Sequence, residues 1–273
     1  MNSRRALVAF ILGATLVVAG YGVFHVAVKP VIPAVVVRDT DAHRVLSGSL
    51  GARVDRLLHD RPPADRTKNP RLIALTFDDG PYPVETGLLL DVLAELHVPA
   101  TFFLIGHDTE EYPGLAKRIA AEGHEIANHT QTHPARFDSL GPPGVKRELD
   151  QGAATLERYV RDPAIRTMMR PPHGRFTEAT VAAAQSDGYH VILWNDDPGD
   201  WRTVPASAID AHLASNATAP DIVLLHSGRL NTIEALPAVV ARFRAAGYSF
   251  VTVGQMLAHV PPRQIVHPAK LHV

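Results

Sequence analysis

From Leu72 onward the chain alternates short apolar runs with amphipathic segments, a pattern few architectures accept. Seven runs read as strands, at 72–77, 100–105, 124–128, 166–170, 190–194, 221–226 and 249–253. They are close to continuously apolar, as strands buried on both faces are. Between them, residues 84–97 bring Leu88, Leu89, Val92, Leu93 and Leu96 to one helix face, and 145–160 does so with Val145, Leu149, Ala153, Leu156 and Val160. Strands alternating with such helices predict a parallel sheet covered by helices. Seven strands in so short a stretch fit one barrel-like α/β domain, with an open doubly wound sheet as the alternative.

The segment before this domain has another texture. Residues 6–28 carry no formal charge and follow Arg4 and Arg5. As a helix they would reach about 34 Å, enough to cross a hydrocarbon core. Residues 1–28 are therefore expected to be a signal-anchor or transmembrane segment, with a cleaved signal peptide as the alternative. Arg4 and Arg5 ahead of the span, by the positive-inside rule, put the remainder outside the cytoplasm of a bacterial-type inner membrane. Residues 29–70 read as a proline-punctuated connector in which Val45, Leu46, Leu50, Val54, Leu57 and Leu58 share a helix face. Residues 261–273 read as a tail.

Composition excludes several kinds of chemistry. Lys plus Arg number 27 against 28 Asp plus Glu, so there is no basic excess to neutralise phosphates and no nucleic-acid partner is expected. The absence of cysteine removes disulfides, thiolate zinc sites and a cysteine nucleophile. Fifteen histidines leave imidazole and metal chemistry open.

Reactive residues of a β/α barrel gather where strands end. The first strand ends in Asp78-Asp79-Gly80, the third in Asn128-His129 with His133 following, and the fourth in Arg170-Pro171-Pro172-His173-Gly174. Asp196, Asp197, Asp200 and Trp201 follow the fifth, and the sixth ends in His226. His129 and His133 have a spacing that aims two imidazoles alike on a helical turn, and Asp78 or Asp79 could complete a two-His, one-carboxylate set with open coordination positions. His107, His124 and His190 fall outside these groups and read as structural; His259, His267 and His272 read as solvated.

These residues resemble the NodB-homology polysaccharide deacetylases, the carbohydrate esterases of family four. The likeness spans about residues 71–258 and rests on TFDDG at 76–80, HTQTH at 129–133, RPPHG at 170–174, DPGDW at 197–201 and VLLH at 223–226. It implies a distorted (β/α)7 barrel over 71–260. It also implies a hydrolase that removes N-acetyl groups from an extracytoplasmic glycan such as peptidoglycan, a chitin-like polymer or poly-GlcNAc. Asp78 would be the general base, oriented by Arg170, and His226 the general acid, held by Asp200. Asp79, His129 and His133 would bind a divalent metal, zinc first, with cobalt, manganese and nickel as alternatives. Pro172 and His173 would line the substrate groove beside a main-chain oxyanion donor, and Trp201 with Leu224 would receive the acetyl methyl group. His173 stands where the family often has tyrosine, which puts substrate preference in question. Expected partners are the glycan and the membrane, with no protein partner. An amidohydrolase of small non-sugar amides and a non-catalytic glycan-binding relative are the alternatives.

Overall fold

β1 (Leu72–Asp78) is the strand from which the architecture is built. On one edge it pairs in parallel with β6 (Asp221–His226) from Ile73 to Asp78. On the other it pairs first with β7 (Ser249–Phe250), at Leu72 and Ile73, and then with β2 (Thr101–Leu104), from Thr76 onward. β3 (Glu125–Asn128), β4 (Met168–Met169) and β5 (His190–Val191) continue the parallel sheet in the order β5-β4-β3-β2-β1-β6. The computed structural model describes residues 71–259. The expected anchor (1–28), connector (29–70) and tail (261–273) lie outside the described residues. Among the described residues, no helix is long and apolar enough to cross a membrane.

All seven expected strands form, and the sheet curls until its ends meet. Asn195 N–H donates to Ile222 O at 3.1 Å, Leu224 N–H donates to Asp196 O at 2.9 Å, and Asp196 bridges Val223. This seam between the chain following β5 and β6 is incompatible with an open doubly wound sheet. The seven-strand ring needs one correction. β7 is off the ring path and fills the edge of β1 below the point where β2 begins to pair.

β4 and β5 are also shorter than the apolar runs that announced them. Ile192 N–H still donates to Met169 O, and the parallel register would next bring the nitrogen of residue 171 to Ile192 O. Residue 171 is proline and has no N–H. Arg170 Nε takes over, donating to Ile192 O at 3.1 Å, and Nη2 donates to Leu193 O at 3.1 Å.

Helices cover the ring: α1 (Glu85–Leu96), α2 (Gly106–Glu111), α3 (Pro113–Ala121), α4 (Pro142–Glu157), α5 (Glu178–Ser186), α6 (Ala206–Asn216), α7 (Leu230–Ala245) and α8 (Val253–His259). α1 and α4 match the two periodic segments read from sequence. Alternation along the strands splits the core in two. Ile73, Leu75, Phe77, Val223 and Leu225 pack with Leu89, Leu90 and Leu93 of α1 and Val239, Val240 and Phe243 of α7. Ala74, Phe103, Ala127, Ile222 and Leu224 belong to the second cluster. Period two carries that second face on to Asp78 from Ala74, His129 from Ala127 and His226 from Leu224, so the last residues of β1 and β6 and the residue just past β3 share one end of the barrel.

Candidate active site

At that end the chain leaves β1 through Asp79 (φ 68°) and Gly80 (φ 67°). Thr130, His133 and His173 also have positive φ, at 71°, 50° and 56°. Non-glycine residues keep such conformations where surrounding structure imposes them, and these four gather around one site, while His97 caps the end of α1.

Asp79, His129 and His133 each offer a ligand atom, all within 4.8 Å of one another. Asp79 Oδ1 is 3.5 Å from His129 Nε2 and 3.3 Å from His133 Nε2. Ligands about 2.0–2.1 Å from a tetrahedral zinc stand about 3.3–3.4 Å apart, so the two separations from Asp79 match such an ion. His129 Nδ1 lies 2.9 Å from Arg170 O. A carbonyl only accepts, so Nδ1 carries the proton and Nε2 presents its lone pair to the site. Burial lowers the pKa of His133 to about 4, reinforced by His129 and opposed by Asp79, which favours the neutral imidazole a metal requires. Asp79 is held well below the usual carboxylate range: burial pushes it up, but hydrogen bonding and charge from His129, with His226 and His133, outweigh that.

Asp78 is buried beside this triad. Its Oδ1 accepts from Arg170 Nη1 at 2.6 Å, and its Oδ2 is 3.8 Å from His129 Nε2. Arg170 is fully buried, with Nη1 also 2.8 Å from Thr76 Oγ1 and the guanidinium 4.1 Å from the ring centre of Phe103. Across the site, His226 Nδ1 is 2.7 Å from Asp200 Oδ1. Asp200 Oδ2 accepts from His226 N–H at 2.8 Å and from Thr232 Oγ1 at 2.6 Å. Burial works against the imidazolium, but the Asp200 hydrogen bond and charge, with Asp78 and Asp79, bring the pKa of His226 up to about 9.

The remaining candidates take up different positions. His173 lies in the turn Pro172–Gly174, its ring centre 4.5 Å from that of His133. Gly174 and Arg175 N–H donate to Pro171 O and Pro172 O, leaving His173 N–H as the donor this turn does not consume. Leu224 is buried two residues before His226, whereas Trp201 is 42% exposed, its Nε1 3.4 Å from Asp197 Oδ2. Outside the site, His124 is structural, its Nδ1 accepting from Ala100 N–H, and His107 is exposed beside Glu111. Sequence reasoning missed Thr76, Phe103 and Thr232. Thr76 could have been found, since it opens the Thr-Phe-Asp-Asp-Gly run and points the same way as Asp78; nothing local marks the other two.

Comparison with known proteins gives one consistent answer. Residues 65–192 match the family model for polysaccharide deacetylase. The chain is 37% identical over 196 residues to a peptidoglycan-N-acetylglucosamine deacetylase of Bacillus cereus, covering 70% of this chain and 90% of that protein. It is 36% identical over 200 residues to a chitooligosaccharide deacetylase of Rhizobium leguminosarum bv. trifolii, covering 68% of this chain and 91% of the relative. Among solved structures, the Bc1960 peptidoglycan N-acetylglucosamine deacetylase superposes with a TM-score of 0.65 at 32% identity, over 69% of this chain and 88% of its own. A CE4 family pseudoenzyme from Bacillus anthracis superposes almost as well, with a TM-score of 0.63 at 25% identity over 69% of this chain and 66% of its own. Backbone likeness therefore does not separate active from inactive relatives, and the side chains must.

Proposed function

Because the chain belongs to the polysaccharide deacetylase family, we propose that it removes N-acetyl groups from GlcNAc-type residues of an extracytoplasmic polysaccharide. The observation that carries this reading is the joint presence, at one barrel end, of the Asp78–Arg170 pair, the Asp79–His129–His133 triad and the Asp200–His226 pair. A non-catalytic relative has no need to keep all three.

Asp79, His129 and His133 would hold a divalent cation, zinc first, with cobalt, manganese and nickel as alternatives. Such an ion supplies the Lewis acidity that polarises an amide carbonyl and acidifies water. Asp78 takes the proton of the attacking water as its oxygen bonds to the acyl carbon, and Arg170 holds that carboxylate in place. The His173 N–H donates to the developing oxyanion. His226, held as imidazolium by Asp200, gives its proton to the departing nitrogen as the C–N bond breaks. Acetate and a free amine result, with no covalent enzyme intermediate. Pro172 and the His173 side chain line the groove, and Trp201 and Leu224 form the acetyl pocket.

Residues 1–28 would anchor the enzyme in the inner membrane with its catalytic domain in the periplasm, or direct its secretion if cleaved. A reporter fused to the carboxyl terminus should work only outside the cytoplasm; one that works only inside refutes that placement. For the chemistry, the metal-loaded chain is offered GlcNAc oligomers, peptidoglycan and small N-acetyl amides side by side. Acetate release from a glycan supports the reading and identifies the preferred polymer. Release from small amides alone would replace it with a small-amide hydrolase.

A further inference from the structure

We propose that Glu148 of α4 is a positioning residue for the metal-ligating loop, fixing His133 in the orientation the cation requires. The proposal rests on the reading of Asp79, His129 and His133 as ligands.

Glu148 is buried, at 8% exposure, and both of its carboxylate oxygens go to one residue of that loop. Oε2 accepts from Thr132 N–H at 2.9 Å and Oε1 from Thr132 Oγ1 at 3.0 Å. The main-chain oxygen of Glu148 also accepts from Gln131 N–H at 3.1 Å. His133 N–H donates to Thr130 Oγ1 at 3.1 Å. Three successive amides ahead of the His133 side chain are thus pinned, two of them by Glu148. The pinned stretch lies between the two left-handed residues Thr130 and His133, a conformation that persists where its surroundings hold it. One turn along α4, Gly152 permits the close approach: a Cβ there would stand 2.8 Å from Asn128 Oδ1 and 2.9 Å from Thr130 C. Among the described residues Glu148 forms no ion pair. A buried carboxylate serving only an amide and a hydroxyl is a costly way to brace a loop whose sole task is to fold. Bracing a ligand accounts for it.

The test uses the full chain, with zinc affinity from chelator competition and the rise in Tm on adding zinc. Glu148→Ala should weaken zinc binding about 10–100-fold and shrink the zinc-induced rise in Tm, in keeping with the usual effect of losing a group that orients a ligand. Glu148→Gln should stay within about threefold of the parent, because its Oε1 can accept from Thr132 N–H while its NH2 donates to Thr132 Oγ1. A Glu148→Ala chain with unchanged zinc affinity and an unchanged zinc-induced rise, even at lower metal-free Tm, would show a purely structural role and overturn the proposal. Should Glu148→Ala fail to fold, Thr132→Val against Thr132→Ser decides: weaker zinc binding in the valine variant alone supports it, and equal affinities overturn it. A parent chain that binds no zinc would refute the ligand reading itself, and the proposal with it.

Discussion

Arg170 and Asp78 form a buried pair, Nη1 to Oδ1 at 2.6 Å, in which the arginine also finishes a strand pairing that proline interrupts. Removing it would leave a buried carboxylate without its cation and Ile192 O, Leu193 O and Thr76 Oγ1 without a donor. Arg170→Met should cost about 3–5 kcal/mol in stability by denaturant titration, the range for breaking a buried pair on one side. Arg170→Lys should rescue little, since one ammonium cannot reproduce the planar fork. A loss under about 1 kcal/mol would show that the pair is not structural.

His226 and Asp200 set the alkaline behaviour. In the metal-free chain, NMR titration of His226 should give a midpoint near 9, the value to which Asp200 raises it against burial. Asp200→Asn should move it down by at least about one unit, because burial then meets less opposing charge. A midpoint that stays put in that variant would remove Asp200 as the cause.

Two of the perturbed imidazoles, His133 and His226, act on stability with opposite sign. His133, lowered to about 4, binds fewer protons folded than unfolded between pH 4 and 6.5, so its contribution is lost as pH falls through that window. His226, raised to about 9, binds more protons folded, so its contribution is present below 6.5 and lost as pH rises to 9. Metal-free stability against pH should therefore have a maximum near 6.5. His226→Gln should flatten the alkaline limb and His133→Gln the acid limb. Limbs unchanged in both variants would assign the titration elsewhere.

Trp201 tests the acetyl pocket. Its exposure and its position in the loop after β5 predict that Trp201→Ala changes stability by no more than about 0.5 kcal/mol. Its kcat/KM on GlcNAc oligomers should fall about tenfold, equivalent to about 1.4 kcal/mol of transition-state binding. Unchanged kinetics would place the pocket elsewhere.

Much of this was legible in the sequence because the signals were local. The seven strands announced themselves as apolar runs, and α1 and α4 through periodicity. The barrel-end residues Asp78, Asp79, His129, Arg170 and His226 fall at the expected strand ends by counting alone, with His133 four residues past His129. What was not legible depends on distant contacts. Closure by Asp196 and Val223 joins chain segments whose pairing no local pattern encodes. The trimmed β4 and β5 follow from Pro171 together with a side chain reaching two carbonyls just past the end of β5. Glu148 sits on α4, sixteen residues from the threonine it holds, and reads in sequence as an ordinary polar helix position.

The most direct measurement is acetate release by the full chain and by Asp78→Asn, matched for zinc content and folding, on GlcNAc oligomers. Asp78 as the base predicts that the variant keeps its metal and loses activity by about 10²–10⁴-fold, the usual contribution of a positioned proton acceptor. Release at the parent rate from a metal-matched Asp78→Asn chain would contradict that assignment.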